Sequence, residues 1–242
     1  MTNNIKGNAI IKAENVTKNF GGVRAVRDVN LEIARGELHS LIGPNGAGKS
    51  TFFKLITGFE IPSSGKIFYK DQDITELKPY QRLRLGIALK FQTPRIYPSL
   101  TVGQNLEIPW SKNLGATPDE TKFEILMEMS GLNQCQHMEV AELPHGQLQW
   151  LEVCMILKTG PSILLLDEPT AGMSPEETFK TAEMIEEINN EDFTIIIIEH
   201  DMAFVKELAR KVTVFHRGEV FAQGSMEEIS ADPRVKKIYL GE

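Results

Sequence analysis

Two purely aliphatic runs, Ile163–Leu166 and Ile195–Ile198, most constrain what this chain can fold into. Each is four residues long, far below the ~20 apolar residues that cross a bilayer. A short run with no polar alternation is buried on both faces, as a central strand of a parallel sheet is. Asp167 extends the first run to a strand Ile163–Asp167, and Thr194 extends the second to Thr194–Ile198. Helical spacing follows each, at Pro175–Asn190 and at Met202–Arg210, and another strand is expected at Val212–Phe215. Aliphatic strands alternating with amphipathic helices predict an α/β fold whose mostly parallel sheet is covered on both faces.

The first third has a different texture. Ala9–Val16 and Val29–Ile33 carry the β-branched residues of strands, and Gly21-Gly22 supplies a turn between them. Glu37–Ile42 is a strand that enters a Gly-rich loop, and Gly48–Thr57 has helical spacing through Phe52, Phe53, Leu55 and Ile56. Ser63-Ser64-Gly65 then turns into a strand at Lys66–Tyr69. From about Thr93 to Lys158 helix formers dominate, and Ser130-Gly131-Leu132 closes a helix carrying Phe123, Leu126 and Met127. Residues 1–242 therefore read as one domain, with a helical subdomain (about 93–158) inserted between the halves of its core.

Composition excludes several classes. With 41% hydrophobic and 24% charged residues the chain is neither disordered nor a membrane span. A net charge of −7 offers no electrostatic case for nucleic-acid binding. Cys135 and Cys154 have no metal-ligand spacing and are expected to be reduced and structural. Met1–Gly7 lacks the apolar core of a secretory signal, so a cytosolic protein is expected, reaching a membrane through a partner.

The strongest local signal is Gly43-Pro44-Asn45-Gly46-Ala47-Gly48-Lys49-Ser50-Thr51, which fits G-x-x-x-x-G-K-[ST] between a strand and a helix. In such a loop glycines let backbone N–H groups turn inward around phosphates. Lys49 reaches the β/γ oxygens, Ser50 offers a hydroxyl to Mg²⁺, and the helix N-terminus favours the anion. The second signal is Ile163–Asp167 followed by Glu168 and Pro169. Asp167 at the strand end can hold Mg²⁺ through water, and Glu168 can polarise a water for in-line attack on the γ-phosphate.

These segments, in this order and over nearly the whole chain, resemble the ABC ATPase family. The resemblance implies that Phe20, in Lys18-Asn19-Phe20-Gly21-Gly22, stacks on adenine. It implies that Gln92, in Phe91-Gln92-Thr93-Pro94, touches Mg²⁺ and the attacking water, and that His200, in Glu199-His200-Asp201, contacts the γ-phosphate. Leu143-Pro144-His145-Gly146-Gln147 occupies the place of the family's L-S-G-G-Q, which completes the ATP site of the opposite subunit. Gly146 and Gln147 are retained, whereas Pro144 replaces the serine and His145 the first glycine. The family's S-A-L-D loop appears as Ala171-Gly172-Met173-Ser174, without its aspartate.

The implied protein is the ATP-hydrolysing subunit of an importer, with ATP and Mg²⁺ as cofactors. Its implied partners are a second ABC ATPase (a heterodimer, with a homodimer as the alternative), two transmembrane permeases and, indirectly, a solute-binding protein. Its implied place is the cytoplasmic face of the plasma membrane, held there by the permeases. Exporter ATPases and soluble ABC proteins of DNA repair or translation are the competing classes; soluble members usually carry two such domains or a long coiled coil. Phe91-Gln92-Thr93-Pro94-Arg95, Ala171-Gly172-Met173, Glu199-His200-Asp201-Met202 and Ile238-Tyr239-Leu240-Gly241 resemble the branched-chain amino acid and urea importer group. His145-Gly146-Gln147 followed by Gln149-Trp150-Leu151-Glu152 is most similar to its urea and short-chain amide branch.

Overall fold

The computed structural model describes residues 9–108 and 119–240. The readings at Met1–Gly7 and Gly241 lie outside the described residues, as do the side chains of Tyr239 and Leu240. Strands β1 (Ala9–Phe20) and β2 (Val23–Ala34) form a hairpin turning at Gly21-Gly22, and β3 (Leu38–Ile42) leads into helix α1 (Lys49–Thr57). Then come β4 (Ser64–Tyr69), β5 (Gln72–Asp73), α2 (Pro79–Leu85) and β6 (Ile87–Lys90). Helices α3 (Val102–Glu107), α4 (Glu120–Met129) and α5 (His145–Leu157) follow, with short 3-10 turns at Leu132–Cys135 and Val140–Glu142. The chain ends as β7 (Ile163–Asp167), α6 (Pro175–Ile188), β8 (Thr194–Ile198), α7 (Met202–Leu208), β9 (Lys211–His216), β10 (Glu219–Gly224), α8 (Met226–Ala231) and α9 (Pro233–Leu240).

Two sheets result. An antiparallel sheet has the order β2-β1-β4-β5, and a six-stranded sheet the order β10-β9-β3-β8-β7-β6, antiparallel only at β10. The aliphatic strands divide their side chains with the period of two that a strand imposes. Leu164, Leu166, Ile195 and Ile197 enter the core shared with α4, α5 and α6, while Ile163, Leu165, Ile196 and Ile198 enter the core shared with α1 and the antiparallel sheet. Each fully buried side chain of this kind is worth about 1.5–3 kcal/mol, so burial on both faces fixes the register of β7 and β8.

Helix boundaries follow local chemistry. Ser174, Ser225 and Thr101 make capping boxes at α6, α8 and α3, and Asp201 caps α7 by accepting from the Ala203 and Phe204 N–H groups. Helices α6 and α7 stop short of the expected Asn190 and Arg210, because Asn189 and Ala209 turn extended (ψ 127° and 115°). The hairpin strands run beyond the apolar stretches that signalled them. Pairing of Lys18 with Val26, Asn19 with Arg24 and Phe20 with Val23 carries the ladder to the turn, whatever the polarity of the residues. Ser64 and Gly65, read as turn, are the first residues of β4, where an irregularity between Glu14 and Thr17 marks a bulge. Strands β5, β6 and β10 and helices α2, α8 and α9 lie outside the expected elements. Strand β6 is the important one: it is four residues long, ends in a buried lysine, and is recognisable through its pairing with β7.

Candidate active site

Strands β3, β8 and β7 are adjacent and parallel, so the loops leaving their C-terminal ends meet at one edge. That brings residues 43–48, the Asp167-Glu168 pair and His200 together from three distant parts of the sequence. The loop has two positions at which only glycine fits. Gly43 has φ +146° and a Cβ there would lie 2.2 Å from the Phe215 carbonyl oxygen; Gly48 has φ +106° and a Cβ 2.4 Å from that of Ala25. No side chain caps α1 after Gly48, so its first N–H groups face the mouth of the loop. They open on a cavity of about 530 Å³ walled by residues 45–51, Glu168 and His200, with Arg24, Arg27 and Arg217 adding positive charge.

Lys49 is 5% exposed, and its ammonium donates to the carbonyls of Gly43 (2.6 Å) and Pro44 (3.2 Å). Burial lowers its pKa, opposed by the negative charges of Glu168 and Asp167. Asp167, half-buried at the end of β7, has a raised pKa, first from burial and then from the neighbouring Glu168, with Lys49 opposing. Glu168 has φ +49°, a backbone conformation uncommon for a residue with a side chain. Its carboxylate accepts from Gln92 Nε2 at 2.7 Å on one oxygen and from His200 Nε2 at 2.6 Å on the other. A carboxylate only accepts, so this contact assigns the proton to His200 Nε2. Ser50 stands exposed on the cavity wall in the first turn of α1.

Glu199, to which the sequence reading gave no role, holds this arrangement. It is buried, and one oxygen accepts from the Thr170 hydroxyl (2.5 Å) and N–H (3.1 Å), while the other accepts from the His200 N–H (2.8 Å). One side chain thus ties the loop after β7 to the loop after β8. Gln92 reaches Glu168 because β6 lies beside β7 and ends two residues before it.

Other expected residues lie apart. Phe20 is 43% exposed at the end of β1, with the Lys18 ammonium 4.9 Å from its ring centre, and Val23 and Arg24 rather than Phe20 line the cavity. Pro144, His145, Gly146 and Gln147 do not wall the cavity either. Pro144 is the N-cap of α5, and the His145 ring meets Ala171 O and Gln149 Nε2, each at 3.2 Å. Ser174, at the place of the family's aspartate, caps α6.

A family model described as ABC transporter matches residues 26–171, more than half of the chain. The chain belongs to the ABC transporter family. It is an ATP-hydrolysing cassette, and a second model, described as branched-chain amino acid ATP-binding cassette transporter, matches residues 219–242. This ABC cassette is 36% identical to the high-affinity branched-chain amino acid transport ATP-binding protein LivG of Escherichia coli K12, over 96% of this chain and 98% of LivG. Among solved structures it is similar to the ADP conformation of MJ1267, an ATP-binding cassette of an ABC transporter (TM-score 0.85, 30% identity, 97% of this chain and 99% of that one). It is also similar to the cassette MJ0796, solved as a dimer in a post-hydrolysis state with ADP and Pi (TM-score 0.75, 25% identity, 89% and 98%). Among the described residues, no helix of the cassette is long and apolar enough to cross a membrane.

Proposed function

We propose that this cassette powers an importer as one of two ATPase subunits that close on ATP beneath a pair of permeases. The observation that carries this reading is the Glu168 carboxylate held between Gln92 and His200 at the mouth of the phosphate loop. In that position Glu168 takes the proton of a water attacking the γ-phosphate, and Gln92 and His200 fix its direction. Lys49 exchanges the Gly43 and Pro44 carbonyls for β/γ oxygens when nucleotide fills the loop. The Ser50 hydroxyl, the Asp167 carboxylate and the Gln92 amide oxygen are the hard oxygen donors that would hold Mg²⁺. Asp167, whose pKa is raised first by burial and then by the adjacent Glu168, is a further reason for a cation there. A Mg²⁺ ion held there would neutralise charge developing on the phosphates.

Residues 144–147 lie outside the cavity and are left for a second subunit, and the dimeric MJ0796 cassette supports a clamp. A heterodimer is the preferred form, with a solute-binding protein outside. On this reading the cassette sits at the cytoplasmic face of the plasma membrane, attached through its permeases. The helical subdomain (about 93–158) would meet them beside a largely apolar groove of about 280 Å³, between α2, β6 and α5, bordered by the exposed rings of Phe59 and Tyr80.

Two solutes are supported by different observations. The run His145-Gly146-Gln147 with Gln149-Trp150-Leu151-Glu152 resembles the urea and short-chain amide branch, and the similarity to LivG favours branched-chain amino acids. The test is reconstitution with the permeases and binding protein of the same transporter. ATP turnover that rises on assembly and responds to urea supports the first reading, and a response to leucine the second. A cassette that turns over at full rate as a dilute monomer would contradict the clamp.

A further inference from the structure

The groove between α2, β6 and α5 is not uniformly apolar. Glu152 of α5 lies in its wall, 3% exposed, and its Oε2 has no hydrogen-bond partner. Unpartnered polar atoms are rare in protein interiors and costly, and an ionised one more so. The nearby cations do not neutralise it directly. The Lys90 ammonium is buried on β6 and donates to its neighbour's carbonyl, Phe91 O, at 3.1 Å. The Arg95 guanidinium is stacked 3.6 Å from the centre of the Phe91 ring, on the exposed rim. Burial pushes the Glu152 carboxyl up to about 7, opposed by Lys90, by the Arg95 backbone N–H and by the Arg95 charge. The free chain therefore holds, in the wall of an open groove, a solvent-shielded acceptor that its own residues leave incompletely paired.

We propose that Glu152 makes this groove a receptor for a basic side chain, carried on the permease segment that docks between Phe59, Tyr80 and Ile156. The inference rests on the docking reading above and adds the chemistry of the partner. An apolar helix face fills the groove between the aromatic rings, and one lysine or arginine at its centre reaches Oε2. A charge pair formed on docking in a desolvated site selects its partner, because a neutral or acidic residue at that position leaves Glu152 unpaired.

Two experiments separate this inference from the reading on which it rests. In the first, the ¹⁵N-labelled full chain is titrated with benzamidine, an apolar ring bearing one cation, and with its neutral analogue benzamide and anionic analogue benzoate. Benzamidine is expected to shift the amide signals of Phe91, Arg95 and Ile156 and to bind at least about tenfold more tightly than benzamide, a difference that Glu152→Gln abolishes. Equal binding of the two, or a preference for benzoate through Arg95, overturns the proposal. A thermal melt of Glu152→Gln shows whether that variant is folded, and the benzamidine-to-benzamide ratio on the unaltered chain decides independently of it. In the second, the affinity of the cassette for its own reconstituted permeases is measured. Phe59→Glu with Tyr80→Glu tests docking itself. If these lower affinity, Glu152→Gln is expected to lower it on the order of thirtyfold. No loss with Glu152→Gln overturns the proposal and leaves docking standing. No loss with either change removes the docking reading and the proposed occupant together.

Discussion

Replacing Glu168 with glutamine tests the hydrolytic reading at one atom. On that reading the variant loses the group that accepts water's proton, and such a group contributes about 10²–10⁴ in rate, or about 2.7–5.5 kcal/mol of barrier. The structure shows why little else should change. The glutamine amide oxygen can still accept from His200 Nε2, which now meets Glu168 at 2.6 Å. Its NH₂ then faces Gln92 Nε2, where donor would oppose donor, but Gln92 can rotate its own amide and present oxygen. Both contacts survive as neutral hydrogen bonds, and Lys49, Ser50 and Asp167 are untouched. Mg-ATP affinity should therefore stay within about threefold, while turnover in the assembled transporter falls at least a hundredfold. Equilibrium binding and steady-state phosphate release on the same preparation make the comparison. Lys49→Ala is the contrasting control: it removes a charge-assisted contact worth about 1.5–3 kcal/mol and should weaken binding itself. Parallel loss of binding and turnover in Glu168→Gln, or a rate loss below about tenfold, would show that Glu168 positions the site and is not its base.

Three other outcomes are expected. Arg82 is fully buried and donates to the carbonyls of Leu55 (2.5 Å), Ile56 (2.8 Å), Thr75 (2.8 Å) and Leu77 (2.9 Å), locking the C-terminal turn of α1 to α2. Arg82→Met should cost about 3–5 kcal/mol and lower Tm by roughly 6–20 °C, and a fall under about 3 °C would contradict that role. Glu152 has a folded pKa raised to about 7 from 4.5, so its contribution is fully present below pH 4.5 and is lost as pH rises through about 7. Between pH 4.5 and 8 the parent should lose up to about 3 kcal/mol that Glu152→Gln does not lose, as urea denaturation at the two pH values will show. Finally, on the clamp reading proposed above, the ATP site that Pro144 and His145 would complete should turn over roughly ten- to a hundredfold more slowly than its twin. Pro144 has neither hydroxyl nor N–H, and His145 is turned 3.2 Å from Ala171 O of its own chain. Disabling the sites in turn, with Glu168→Gln here and the matching change in the partner, should give the larger loss with Glu168→Gln; equal losses would refute the inequality.

What could be read from the residues was whatever rests on short-range chemistry. The phosphate loop declares itself because Gly43 and Gly48 are needed where only glycine fits, next to a lysine and a hydroxyl at fixed offsets. Strands β7 and β8 were visible to the residue, since burial on both faces leaves no room for polar positions. Helices α6 and α7 were visible from their helical spacing, though not their last residues, which depend on where the chain must turn back. Asp167 and Glu168 could be placed because one ends an aliphatic strand and the other follows it.

The tertiary structure decided what depends on pairing between segments far apart in sequence. Gln92 bonds to Glu168 across 76 residues because β6 pairs with β7, and β6 by itself carries too little hydrophobic pattern to be recognised as a strand. Glu199 became a tether, and Arg24, Arg27 and Arg217 became the positive wall of the cavity, only when β2, β8 and the β9–β10 turn converged. An isolated arginine or glutamate carries no spacing signal, so nothing in the sequence separates these from solvated charges. Arg82 and Glu152 illustrate the same limit in opposite senses. Both are buried polar side chains, and whether each is satisfied depends on which carbonyls and cations the fold brings within reach. The chain's chemistry is encoded locally and its site is assembled non-locally, because hydrogen-bond partners are chosen by distance in space.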